Sequence, residues 1–107
     1  MPSVKEITDL IVGGASKTEE ELITKAYNFS EKSHSEQKRM SGEPYFNHVF
    51  ETAKILAQLG MDAQTIASGL LHDVLEDTEV TEEEMGKEFG EDILFLVKGV
   101  TKLGTLK

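Results

Sequence analysis

Apolar residues recur along this chain in short groups at helical spacing, each closed by glycine or a polar stretch. Ile7, Leu10 and Ile11 form a first stripe that stops at the breaker pair Gly13-Gly14. Ser16 or Thr18 can cap a second helix, with Glu19, Glu20 and Glu21 favourable at its positive end and Leu22, Ala26 and Phe29 as its apolar face. The pattern dissolves between Ser30 and Pro44, where Ser41-Gly42-Glu43-Pro44 reads as a turn. A third helix is expected from Tyr45 to Leu59, with Val49, Ala53, Leu56 and Leu59 on one side and Gly60 as its C-terminal stop. Asp62 can cap a fourth, running through Ile66, Leu70 and Leu71 to about Leu75, and its Ala67-Ser68-Gly69 run leaves room for a neighbouring helix to approach. Thr81 and Glu84 have capping-box spacing ahead of a short helix ending near Phe89-Gly90. A last helix from Glu91 to about Val100 presents Ile93, Leu94, Leu96 and Val97. No convincing stretch alternates with period two, so the expected fold class is all-α, five to six helices in a single domain over residues 1–107.

Composition narrows the functional classes. With 38% hydrophobic and 29% charged residues, a folded, soluble domain is expected rather than disorder. The net charge is −9, and it is uneven: residues 1–50 carry six basic and eight acidic side chains, residues 51–107 five and twelve. Such a surface repels phosphate backbones and argues against broad nucleic-acid binding. A phosphorylated substrate would need a neutralising element in that acidic cleft, and a bound divalent cation supplies one. Cysteine is absent, which removes disulfides, thiolate zinc sites and cysteine nucleophiles and fits a reducing compartment. No apolar run reaches the roughly 18 residues of a membrane span, and the first residues lack a signal-peptide layout, so a cytoplasmic location is expected.

Against that acidic background a few residues carry candidate chemistry. His72-Asp73 offers an imidazole nitrogen and a carboxylate oxygen, a donor pair suited to a divalent cation. Successive helix positions differ by about 100° in direction, so both can reach one ion only near a helix end or bend. Taken alone, such a dipeptide is more often an ordinary surface pair. His48, on the preceding helix, could supply a third ligand if the two helices pack side by side. Glu76 and Asp77 follow at i+4 from His72 and Asp73, a spacing that suits them to orient or deprotonate a water; the plainer alternative places them with Glu79 in a solvated acidic loop. Lys38 and Arg39, with Ser41 and Gly42, form a basic patch that could hold a phosphate or stack on a base, or could simply keep the surface soluble. His34 reads as a surface residue.

Three stretches together resemble the RelA/SpoT homologues. They are His34 to His48 (HSEQKRMSGEPYFNH), Ala67 to Thr78 (ASGLLHDVLEDT), and Phe89-Gly90 with Gly99-Val100-Thr101-Lys102-Leu103. The similarity runs over nearly all of the chain past residue 20, with the motifs in order. It implies an HD-superfamily helical bundle that hydrolyses the alarmone (p)ppGpp to GDP or GTP and pyrophosphate with Mn²⁺. By that resemblance His48, His72 and Asp73 would be metal ligands, and Glu76 and Asp77 would activate and place the attacking water. Arg39 and Ser41, with Lys38 beside them, would hold the nucleotide. The family's fourth ligand, an aspartate several tens of residues past the His-Asp pair, has no counterpart before Lys107, so a bundle truncated at its C-terminus is expected. Val49 stands where the family usually has proline, and Met40 where it commonly has lysine.

Two other readings stay open at the level of sequence. One is an HD phosphohydrolase acting on a different nucleotide. The other is a non-catalytic helical module that binds a nucleotide, a metal or a second copy of itself through exposed core surface.

Overall fold

The computed structural model describes the backbone of residues 2–105 and the side chains of residues 2–100. Seven helical segments follow one another: α1 (Val4–Thr8), α2 (Lys17–Ser33), α3 (Tyr45–Gln58), α4 (Ala63–Leu71), α5 (Val74–Asp77), α6 (Glu82–Phe89) and α7 (Glu91–Thr105). Among the described residues no strand occurs, and the one extended pairing is an isolated bridge between Lys38 and Pro44. The fold is all-α, as the periodicity predicts. Taking α5 as the broken-off end of α4 leaves six helices.

Local side-chain chemistry sets most helix starts. Ser16 accepts a hydrogen bond from the Glu19 N–H at 3.1 Å, and the Glu19 carboxylate accepts from the Ser16 N–H at 2.8 Å. Thr81 and Glu84 repeat this reciprocal arrangement at the start of α6. Asp62 accepts from the Thr65 N–H at 2.8 Å and opens α4; hydrogen bonds from the Thr65 side chain and backbone hold its carboxyl below the usual aspartate range. Gly90, at φ 88°, turns the chain from α6 into α7.

The centre of the fold is α4. Its residues Ile66 to Leu71 are all buried, more than a full turn without a solvent face. Such a helix is stable only when neighbours cover it on every side, and α2, α3 and α7 do so. The face that α2 turns inward is Ile23, Ala26, Tyr27 and Ser30; Leu22 and Phe29, expected at its centre, lie half-buried at the edge. The helix also runs three residues past Ser30, where the apolar pattern fades. From α3, Phe46, Val49, Phe50, Ala53 and Ala57 face the core. Tyr27 meets Phe46 edge-on at 4.9 Å between ring centroids and Phe50 at 6.3 Å, which ties α2 to α3. Farther along α2, Phe29 packs edge-on against Phe89 of α6 at 5.3 Å.

The small-residue run in α4 serves the close approach its sequence implies. A β-carbon built on Gly69 would lie 2.4 Å from Leu56 Cδ1 of α3. On α7, Ile93 and Val97 are buried, Leu94 packs at the edge of the core and Phe95 is exposed. The helix continues beyond Val100 to Thr105, and the Thr101-Lys102-Leu103 part of the family-like motif lies outside the residues whose side chains are described.

Candidate metal and phosphate site

The helix expected to run unbroken to Leu75 stops at Leu71. His72 and Asp73 form the joint between α4 and α5, both with right-handed helical backbone angles but outside either helix. This is the bend that two adjacent side chains need to converge. His72 Nε2 lies 3.2 Å from Asp73 Oδ1, with the two side chains 22% and 13% exposed, enough to reach solvent and little enough to be held.

The other imidazole nitrogen fixes the chemistry of that contact. His72 Nδ1 is 2.7 Å from the carbonyl of Gly69, which can only accept, so Nδ1 carries the proton. In a neutral ring Nε2 then turns a lone pair toward a carboxylate oxygen. Two acceptors at that distance require a proton or a cation between them. A backbone carbonyl on one nitrogen, orienting the other outward, is the usual support for a histidine metal ligand.

Tyr45, the first residue of α3, reaches the same place from below. Its hydroxyl donates to Asp73 Oδ2 at 2.6 Å and lies 3.4 Å from Asp77 Oδ2. Burial, followed by the hydrogen bond to Asp73, raises the phenol well above its ordinary pKa, so it remains a donor throughout the physiological range. His48, one turn further along α3, is exposed, and its ring lies 5.9 Å from the Tyr45 ring. Thus His72 and Asp73 touch, while His48 packs beside Tyr45, whose hydroxyl meets Asp73. Among the described residues no three histidine, aspartate or glutamate side chains close to metal-ligand spacing.

Glu76 and Asp77 are exposed on α5. The backbone bond from Asp77 N–H to the Asp73 carbonyl, 2.9 Å, confirms the one-turn relation between those two residues. Both carboxylates open onto a groove of about 900 Å³ that also receives Glu36, Gln37, Glu79 and Glu84. The groove is therefore strongly acidic.

Lys38, Arg39 and Ser41 occupy the tip of the loop between α2 and α3, all exposed. The loop is a tight hairpin: Arg39 N–H donates to the Glu43 carbonyl at 2.8 Å, and Gly42 N–H to the Arg39 carbonyl at 2.8 Å, with Gly42 at φ 88°. Ser41 Oγ accepts from the Glu43 N–H at 3.4 Å. Neither basic side chain makes an ion pair among the described residues, so both remain available to an anion.

The structure also corrects the reading of His34. His34, expected at the surface, is 1% exposed and caps the end of α2. Its ring lies 5.0 Å from Tyr45 at a 37° tilt, and its Nδ1 is 2.8 Å from Gln37 Oε1. Gln37 in turn donates to the Asp77 carbonyl. Sequence periodicity gives no hint of this burial because the covering groups come from the loop and α3. The contacts of Tyr45 are likewise not legible in the sequence, although its place beside the turn and its polar tip are.

Comparison with known proteins identifies the family. Residues 26–107 match the family model described as HD domain. The chain is 53% identical over 87 residues to the guanosine-3′,5′-bis(diphosphate) 3′-pyrophosphohydrolase of Aquifex aeolicus, covering 81% of this chain and 12% of that protein. It is 52% identical over 82 residues to the probable enzyme of the same name from Mycoplasma pneumoniae, covering 77% and 11%. The GTP pyrophosphokinase of Streptomyces coelicolor is 41% identical over 109 residues, covering 99% and 13%. The chain thus spans about an eighth of the length of the relatives it matches. With its family match, these identities and the motifs around His48 and His72-Asp73, the chain belongs to the HD-domain family and, within it, to the RelA/SpoT group.

Proposed function

We propose that this chain carries the hydrolase site of a metal-dependent (p)ppGpp 3′-pyrophosphohydrolase. The observation that carries the reading is the His72–Asp73 joint, where a nitrogen and a carboxylate oxygen stand 3.2 Å apart with the histidine tautomer fixed by Gly69. In this reading His72, Asp73 and His48 hold a divalent cation, Mn²⁺ by family resemblance. Bound there, the cation would neutralise substrate phosphate and lower the pKa of a coordinated water.

The remaining roles fall to the chain's own groups. Asp77 and Glu76, at the mouth of the acidic groove, orient the attacking water and accept its proton. The water oxygen bonds to the phosphorus attached to the ribose 3′ oxygen and the bond to that oxygen breaks. Pyrophosphate leaves, and the 3′ oxygen takes up a proton. Arg39, Lys38 and Ser41, on the hairpin, hold the nucleotide; an arginine there can pair with phosphate or lie against the guanine.

The test is incubation with ppGpp and Mn²⁺, in parallel with chelator, followed by separation of nucleotides. The expected result is GDP and pyrophosphate in the manganese arm only, abolished by Asp73→Ala. Competition by other nucleotides as effective as ppGpp would move the assignment to a different substrate. Equal release in both arms, or none in either, would overturn it.

A second reading concerns assembly. Leu56, Leu96 and Val100 line an apolar cavity of about 230 Å³ between α3, α4 and α7, and Phe95 and Leu59 are largely exposed. This apolar surface favours pairing with a second copy. Mass by light scattering across a concentration series would show a dimer; a monomer throughout would refute it.

A further inference from the structure

We infer that Tyr45 is a positioning residue for the metal-binding carboxylate: its hydroxyl, 2.6 Å from Asp73 Oδ2, holds Asp73 so that Oδ1 faces His72 Nε2. The inference rests on the metal-binding reading above and adds a residue to it.

An aspartate carboxylate turns about a torsion with broad, shallow minima. Nothing in its own helix fixes which oxygen faces His72, since Asp73 makes no capping hydrogen bond with α5. The Tyr45 hydroxyl supplies that constraint from 28 residues earlier in the chain. At 2.6 Å the bond lies in the range of a phenol donating to a charged carboxylate, about twice as strong as a neutral pair. One oxygen is thereby occupied, and the other is left to the site that His72 shares.

The phenol is itself held by its neighbours. The His34 ring lies 5.0 Å from it and the His48 ring 5.9 Å. The Tyr45 N–H donates to the Gln37 carbonyl at 2.9 Å. The Gln37 side chain then joins the buried His34 to the Asp77 carbonyl, so the end of α2, the hairpin, the start of α3 and the α4–α5 joint are tied into one unit. The one proton of the Tyr45 hydroxyl is given to Asp73. Tyr45 acts through the aspartate.

Tyr45→Phe removes the hydroxyl and keeps the ring contacts with the two histidines. Manganese binding to the metal-free chain would be measured by titration calorimetry for the unaltered protein, Tyr45→Phe, Asp73→Ala and the double variant, with melting temperatures in parallel. The expected result for Tyr45→Phe is about a 10-fold or greater loss of affinity, the usual effect of removing a group that orients a metal ligand. In the Asp73→Ala background the same change should have no further effect on metal affinity. Affinity equal to that of the unaltered chain, whatever happens to melting, would overturn the role of Tyr45 and leave the metal site standing. No difference in manganese binding between the unaltered chain and Asp73→Ala would overturn both.

Discussion

A methyl group added at Gly69 sets two opposed energies against each other, and their difference can be measured. Glycine in a helix interior costs about 1 kcal/mol relative to alanine, so Gly69→Ala should stabilise α4 by that amount if nothing stood in the way. The new carbon, however, would lie 2.4 Å from Leu56 Cδ1. Leu56 is half-buried and borders the apolar cavity between α3, α4 and α7, so its side chain has somewhere to go. Moving it off its preferred rotamer costs on the order of 0.5–1.5 kcal/mol. The two effects nearly cancel, and Gly69→Ala alone should change stability by less than about 1 kcal/mol. In a Leu56→Ala background the obstacle is gone, and the same substitution should stabilise by about 1 kcal/mol. The non-additivity expected from the double-mutant cycle is therefore about 0.5–1.5 kcal/mol. Urea unfolding followed by circular dichroism at fixed temperature gives all four values. Additivity within about 0.3 kcal/mol would show that α3 and α4 do not meet at this point, and the packing argument would fail.

Other expectations follow from burial and capping. Leu71→Ala, at a fully buried position beside the His72–Asp73 joint, should cost about 2–5 kcal/mol in urea unfolding; a loss under about 1 kcal/mol would contradict its place in the core. Asp62→Ala should cost about 1 kcal/mol at neutral pH. Because the Asp62 carboxyl is held below its unfolded value, this contribution is present above the ordinary aspartate range and is lost as pH falls through the lowered value. Unfolding curves of the two proteins should therefore converge in acid, and a constant gap down to the lowest pH would count against the cap.

How much of this was legible beforehand depends on the range of the interaction. The caps at Ser16, Asp62 and Thr81 are contacts across three residues, so the residue types alone announce them. The crowding at Gly69 was readable in the same way, as a deletion of side-chain volume. The burial of His34 is not, because the stretch around it is polar and carries no apolar period. Nor is the partnership of Tyr45 and Asp73, which lie 28 residues apart. The apolar stripe that the sequence of α2 suggests lies one position away from the face that is buried. Ile23 and Leu22 are adjacent and equally apolar, and only the position of α4 decides between them.

The break after Leu71 also makes the length of α4 a carrier of information. Each helical residue advances the chain by about 100° around the axis. One residue inserted between the Asp62 cap and Gly69 would leave every side chain chemically intact while swinging Asp73 away from the Tyr45 hydroxyl. Homologous exchanges of core residues in this helix change how well the site is held. A change in its count of residues changes where the site points, so insertions here should be far more damaging than substitutions of equal bulk.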